Sequence, residues 1–347
     1  MVLPVARYFG APGSAADEQV QGALECALCP RFCRIKSGAP GRCGVRHNLN
    51  GKADLPYYGL ISALAEDPIE KKPLYHFRPG SWILSLGFAF CNLRCPFCQN
   101  WSISQPGTAE VSGRRFNPAQ AAALARDRGF DQIAYTYSEP LIHVEWLLEC
   151  MALCRREGIA NVLVTNGCVN PEPAAEILAL TDAVNVDLKC FSAETYEKVL
   201  GGSLDAVLGF IETAHRTGTH LEVTTLIVPG LNNSEAETRR CREFIAGLSP
   251  DIPWHISAYH PDYRYDAPAP TTAALAAIAC MGRERLHYVY TGNVPGERND
   301  TACPRCGATL VSRRGYRVDL RGLILGESAK GKVCRCAACG ESAPIRV

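Results

Sequence analysis

From about residue 81 to 290, short apolar runs alternate with longer segments whose apolar positions recur at helical spacing. The runs SWILSLGFAF (81–90), QIAYTY (132–137), ANVLVTN (160–166), AVNVDLK (183–189), HLEVTTLIV (220–228) and WHISAY (254–259) read as strands. LHYVY (286–290), the faintest signal, is a seventh. PAQAAALARDRG (118–129), PLIHVEWLLECMALCRREG (140–158) and EAETRRCREFIAGL (235–248) read as helices; proline opens the first two and glycine closes both. No internal repeat is visible, and only ADEQVQGA (16–23) is loosely polar.

Strands that are apolar on both faces and separated by helices predict a parallel sheet of βα units. The expected fold is therefore α/β, a complete or partial β/α barrel over 61–300, between cysteine-rich metal-binding segments at 1–60 and 301–347. In such barrels chemistry gathers at the carboxyl ends of the strands. The unusual polar residues fall there: FCNLRC after the first strand, YSEP (137–140), NG (166–167), DLK (187–189) and YHPD (259–262).

Composition sharpens this picture at two points. The net charge of +1 makes no electrostatic case for nucleic acid. Residues 1–50 nevertheless carry 6 basic and 3 acidic side chains, and residues 303–347 carry 9 and 3, around a net acidic middle. The opening MVLPVARYFG lacks a secretory pattern, and no stretch approaches the roughly 18 apolar residues of a membrane span, so a cytoplasmic protein is expected.

Eighteen cysteines in a reducing compartment point to metal rather than disulfides. Three, Cys91, Cys95 and Cys98, stand in one tight loop. A closed zinc site takes four protein ligands, and so does a fully ligated cubane iron–sulfur cluster. Three thiolates therefore leave one iron open to an outside molecule; the alternatives are a zinc site with a distant fourth ligand, or three packed thiols.

In the tail, Cys303-x2-Cys306-Gly and Cys336-x2-Cys339-Gly form two knuckles of zinc-ribbon type, with Cys334 a fifth candidate and a second iron–sulfur cluster the alternative. In the head, Cys26, Cys29, Cys33 and Cys43 lie within 18 residues, with Gly38 and Gly41 to turn the chain; zinc is the first expectation and a second cluster the other. Cys150 and Cys154, four apart on a helix, are expected to pack. Cys168 and Cys190 follow strand ends and either pack or face the pocket.

The spacing C-x3-C-x2-C, with Phe97 before the last cysteine, resembles the radical S-adenosylmethionine superfamily. The resemblance implies a [4Fe–4S] cluster whose open iron chelates S-adenosylmethionine. Tyr137-Ser138-Glu139 stands where the family binds the methionyl amino group with Gly-Gly-Glu, and departs from it in both glycines. Asn166, Asp187 and Lys189 resemble the residues that hold ribose and carboxylate in the glycyl-radical-enzyme activases, although Val164 replaces an aspartate found there. His260 matches a late-strand histidine that touches the nucleoside, with His255 its competitor.

Over nearly the whole chain, CALCPRFC, DPIEKKPLYHFRPGSWILSLG, AYTYSEP, VTNG, VDLK, TTLIVPGLNNS, YTGNV and CPRCG resemble the radical SAM protein of the AmmeMemoRadiSam system. Phe90 departs from the glycine that commonly precedes the cluster loop. The resemblance implies a partial (β/α)6 TIM-like barrel, a flavodoxin- or ferredoxin-type reductant and AMMECR1-like and Memo-like partners; it names no substrate. DPIEKKP (67–73) either contacts substrate, braces the head on the barrel, or is a solvated charged loop.

Three readings of function follow. The first is a radical enzyme acting on a protein, peptide or small molecule. The second is an activase abstracting hydrogen from a glycine of a partner enzyme. The third, a zinc and iron–sulfur protein that binds RNA through its basic ends, leaves the open cluster without a purpose and the tail short of aromatic residues for stacking.

Overall fold

The computed structural model describes residues 4–10, 22–105, 111–294, 298–328 and 331–347. The polar stretch at 16–23 falls outside them except for its last two residues.

A nine-stranded, mostly parallel sheet forms the centre. Its principal strands are β1 (Leu60–Pro68), β2 (Trp82–Phe88), β3 (Gln132–Thr136), β4 (Ala160–Thr165), β5 (Ala183–Asp187), β6 (His220–Ile227), β7 (Trp254–Ala258) and β8 (Val289–Gly292). From β2 to β8 each strand pairs in parallel with the next in sequence. At the other edge β1 runs antiparallel to β2 and pairs with the two-residue strand Arg114–Arg115. Every residue of β3 is buried, as a strand covered on both faces requires.

Among the described residues, the helices of eight or more residues that cross between the parallel strands or precede the last are α1 (Pro118–Asp127), α2 (Val144–Arg156), α3 (Pro171–Leu178), α4 (Leu204–Arg216), α5 (Glu235–Leu248) and α6 (Thr272–Arg283). Their starts follow from local chemistry. Asn117 and Gln120 make a reciprocal capping box at α1, and the side chains of Ser203, Ser234 and Thr271 accept from the first turns of α4, α5 and α6. The helix expected from 140 instead opens with a 3-10 turn, Pro140–His143, before α2 begins. The seventh strand begins at Val289, three residues later than expected, because the Leu286 amide still donates to Gly282 at the end of α6.

Head and tail are both small antiparallel sheets. In the head, Phe9–Gly10, Leu24–Cys26 and Cys33–Ile35 pair in that order. Buried Arg46 fastens this unit to α2 through Glu145, at 3.0 and 3.1 Å. In the tail, buried Arg313 donates to the Tyr75 carbonyl at 2.6 Å and to Thr301 Oγ1 at 2.9 Å, so a guanidinium joins tail to barrel. Among the described residues no helix is long and apolar enough to cross a membrane.

Candidate functional site

One cavity of about 1600 Å³, its open mouth included, is lined from the carboxyl end of every parallel strand from β2 to β8. A single hollow shared by seven consecutive strands means that the sheet curls around it. Strand ends gather side chains here because each βα turn leaves its strand on the same side.

The loop after β2 brings Cys91, Cys95 and Cys98 to this cavity. The Leu93 amide donates to Cys91 Sγ at 3.3 Å, and Cys98 Sγ lies 3.1 Å from Ser104 Oγ. Arg94 holds the loop from inside, its amide on the Leu200 carbonyl and its guanidinium on the carbonyl of Cys91. Burial raises the Cys95 thiol to about 12 against the pull of Lys189, and raises Cys91 well above the ordinary thiol range. Bare thiols at these positions are protonated, so binding a metal group here releases protons. Phe90, where glycine is common in the resembled family, takes φ 71°, the region glycine enters without strain. Its ring compensates by packing edge-on against Tyr57 at 4.7 Å.

The three thiols do not converge as ligands of one ion. Among the described residues, the only cysteine, histidine or carboxylate group whose ligand atoms all lie within 4.8 Å is Cys303, Cys306, Cys336 and Cys339. An iron–sulfur cluster takes each thiolate on a different iron and so holds them further apart. The loop therefore fits a cluster rather than a single ion.

The turn after β3 supplies Ser138 and Glu139. Ser138 Oγ donates to the Phe88 carbonyl at 2.6 Å. Glu139, 1 % exposed, accepts from Leu141 N at 3.0 Å, Thr165 Oγ1 at 2.6 Å and Asn166 N at 2.8 Å. Burial pushes its carboxyl up to about 7, with those three donors opposing. Asn166 in turn points Nδ2 at Cys91 Sγ, 3.5 Å away, and at Asn92 Oδ1, 3.0 Å away. A hydrogen bond to a ligating sulfur tunes the metal it serves.

At the end of β5, Lys189 Nζ lies 2.8 Å from Asp187 Oδ2. Burial works against the charged lysine, but Asp187 holds its ammonium above the ordinary range. Phe97 is buried at the cavity wall. The two histidines separate: His255 lines the cavity, whereas His260 is exposed, outside it, with Nδ1 3.4 Å from the Pro261 carbonyl. Strand alternation explains this, because His255 and Ser257 share the inner face of β7, whose last residue is Ala258.

The site also draws on DPIEKKP and on Tyr137. Lys72 lines the cavity, buried, with Nζ 2.6 Å from Asp67 Oδ2 and 4.5 Å from the centre of the Tyr137 ring. Tyr137 donates its hydroxyl to the same Asp67 and takes φ 67°. Gly87 makes room for it, since a Cβ there would stand 2.7 Å from Tyr137 Cδ2. Burial lowers Lys72 to about 8; Lys71, Lys72 and Tyr137 outweigh burial at Asp67 and hold that carboxyl well below its usual range. The DPIEKKP segment is thus no solvated loop: Asp67, Ile69, Glu70 and Lys72 are all buried. Behind His255, fully buried Glu222 accepts from His255 Nε2 at 2.6 Å and His220 Nε2 at 3.0 Å, and from the amides of Tyr75 and His76.

The outer cysteines differ from one another. In the tail, Cys303 and Cys339 sulfurs stand 3.7 Å apart, as do those of Cys306 and Cys336. Cys334 is buried in the tail core and is not part of that group. In the head, Cys26, Cys29, Cys33 and Cys43 line one narrow cavity without converging as the tail thiols do. Cys150 and Cys154 are packed in the core 3.9 Å apart, and Cys168 and Cys190 are buried there too.

The sequence model of the Radical SAM superfamily matches residues 86–241. An uncharacterized protein of Methanocaldococcus jannaschii, MJ0808, is 38% identical over 326 residues, covering 93% of this chain and 95% of its own. The pyruvate formate-lyase-activating enzyme of Clostridium pasteurianum is 26% identical over 180 residues, 50% of this chain and 73% of that one. Among solved structures, a domain of pyruvate-formate lyase-activating enzyme from Bacteroides vulgatus aligns with a TM-score of 0.41 at 19% identity, over 46% of this chain and 98% of that one.

Proposed function

This chain belongs to the radical SAM superfamily, and from that premise we propose that it is an enzyme that cleaves S-adenosylmethionine to start hydrogen abstraction from a protein, peptide or small molecule. Cys91, Cys95 and Cys98 would hold a [4Fe–4S] cluster, which when bound would supply the one electron that breaks the C5′–S bond of S-adenosylmethionine, with methionine leaving and the 5′-deoxyadenosyl fragment taking hydrogen from the substrate to become 5′-deoxyadenosine. The observation that carries this reading is the placement of three non-converging thiols beside Glu139, Asn166 and the Asp187–Lys189 pair in one cavity.

The chain's own residues then have separate tasks. Lys189, charged and paired with Asp187, offers a cation to the methionyl carboxylate. The backbone carbonyls around Ser138 and the Glu139 carboxyl offer acceptors to the methionyl ammonium. Asn166 steadies Cys91, and His255 rather than His260 stands where a nucleoside in the cavity would meet an imidazole. Lys72 lines the same cavity with its ammonium held by Asp67.

The tail thiols fit a structural zinc ion. The electron is taken from a flavodoxin- or ferredoxin-type carrier in the cytoplasm, and the enzyme works with AMMECR1-like and Memo-like proteins. Similarity to pyruvate formate-lyase-activating enzyme favours one narrower reading, abstraction from a partner's glycine. A glycine-centred electron paramagnetic resonance signal on a partner enzyme would establish it.

The test is anaerobic reconstitution of the wild type and the Cys91/Cys95/Cys98→Ala triple variant, followed by a 5′-deoxyadenosine assay after dithionite. Formation by the wild type and none by the variant is expected. Intact S-adenosylmethionine in both would overturn the reading.

A further inference from the structure

We propose that Cys26, Cys29, Cys33 and Cys43 bind a second, fully ligated [4Fe–4S] cluster rather than zinc. Cys26 and Cys33 are register partners on adjacent antiparallel strands, Cys29 sits in the turn between them, and Cys43 arrives on the following loop. That loop approaches closely because position 41 is glycine: a Cβ there would stand 3.1 Å from Ile35 Cδ1 and 3.3 Å from the Arg46 carbonyl. All four thiols face the same cavity.

Four thiolates around one zinc ion, each at ~2.3 Å, stand about 3.8 Å from one another by tetrahedral geometry. The tail meets that requirement, with sulfur pairs at 3.7 Å and all four within 4.8 Å. The head does not: no three of its sulfurs converge within 4.8 Å, just as those of Cys91, Cys95 and Cys98 do not. Among the described residues the tail set has the single-ion arrangement, and the head set and the Cys91 loop both lack it. In a cubane each thiolate binds its own iron, so wider separation is what the ligands need.

Two further features suit this occupant. Arg46 lines the cavity, is 1 % exposed, and its Nε has no hydrogen-bond partner among the described residues. Its charge is already paired with Glu145, so what it offers the cavity is that unpartnered Nε–H, a donor for a cluster sulfur. Asn92 lines the same cavity and accepts from Asn166, the residue that touches Cys91 Sγ. Asn92 thus lies beside both thiol sites: it lines the head cavity, and its Oδ1 is 3.8 Å from Cys91 Sγ.

With four ligands no iron is open, so this cluster binds no substrate and carries one electron. It gains that electron from a reduced one-electron carrier and passes it on, one ferric iron becoming ferrous and then ferric again, with no bond made or broken. The site stands on the thiol geometry; the identity of its electron acceptor rests on the radical SAM reading.

The decisive protein is the full-length Cys91/Cys95/Cys98→Ala variant, reconstituted anaerobically with iron, sulfide and zinc. It should retain about four iron, about four sulfide and about one zinc per chain. Dithionite should then produce a reduced-cluster paramagnetic signal that S-adenosylmethionine does not alter. About two zinc without iron, one iron without sulfide, or no metal beyond the tail zinc would each overturn the proposal. Cys29→Ala/Cys33→Ala in the otherwise intact chain should lose half of the iron; if that variant does not fold, the triple variant still decides. A wild type that leaves S-adenosylmethionine intact while the triple variant holds a cluster would defeat the radical reading and leave this site standing.

Discussion

Lys72 Nζ lies 2.6 Å from Asp67 Oδ2, and the side chains are only 1% and 4% exposed. Removing one member of such a pair leaves the other buried and uncompensated. The two removals are unequal here, because Asp67 also accepts from Lys71 and Tyr137 while Lys72 has no other carboxylate bond. Asp67→Asn should therefore cost about 3–5 kcal/mol in urea unfolding, and Lys72→Met distinctly less. A larger loss for Lys72→Met would contradict this account of the pair.

The histidines separate by the same kind of geometry. His255→Gln should weaken S-adenosylmethionine binding about tenfold, ~1.4 kcal/mol, by equilibrium dialysis of the reconstituted protein. His260→Gln should leave it unchanged, since its ring is exposed and outside the cavity. Weakening by His260→Gln alone would restore the assignment made from the motif.

Acid should destabilise the protein in a defined window. Burial lowers His76 to about 3, so its neutral form is the native one. A depressed imidazole contributes stability that is complete above the ordinary histidine value and is lost as pH falls through about 6.5. Below about 4.5 Glu222 adds to the loss, because its two histidine partners hold its carboxyl well below the usual range against burial. Between pH 6.5 and 4.5 the unfolding free energy should fall by about 1.4 kcal/mol per pH unit from His76 alone. His76→Gln should flatten this slope in urea titrations; an unchanged slope would exclude His76 as its source.

Tail and barrel meet at Arg313, whose guanidinium also stacks 4.4 Å from the Tyr75 ring centre. Arg313→Ala removes charged hydrogen bonds to the Tyr75 and Asn299 carbonyls and should cost about 3 kcal/mol. Limited proteolysis should then cut first in the tail. Cys306→Ala should lose about one zinc and expose the tail to protease as well, while the iron content stays constant.

Much of the barrel was legible because it is written locally. The strand runs, the capping residues Asn117 and Ser234, and the three cysteines of one tight loop are short-range features, and the polar strand ends at Glu139, Asn166, Asp187 and Lys189 reach one cavity because βα connections repeat the same turn. Parity alone favours His255 as an inner-face residue, but where β7 ends, two residues short of His260, depends on pairing with β6 and β8.

Residue type, spacing and periodicity thus determined the α/β class and the loop able to hold an open cluster. Tertiary structure decided what depends on distances between remote segments: that Asp67 and Lys72 close on Tyr137 and that Glu222 anchors His255. It also decided that Cys336 and Cys339, but not Cys334, converge with Cys303 and Cys306 while the head thiols stay apart. Spacing along a chain limits which thiols can meet, but only the fold around them sets the separations that distinguish one ion from a cluster.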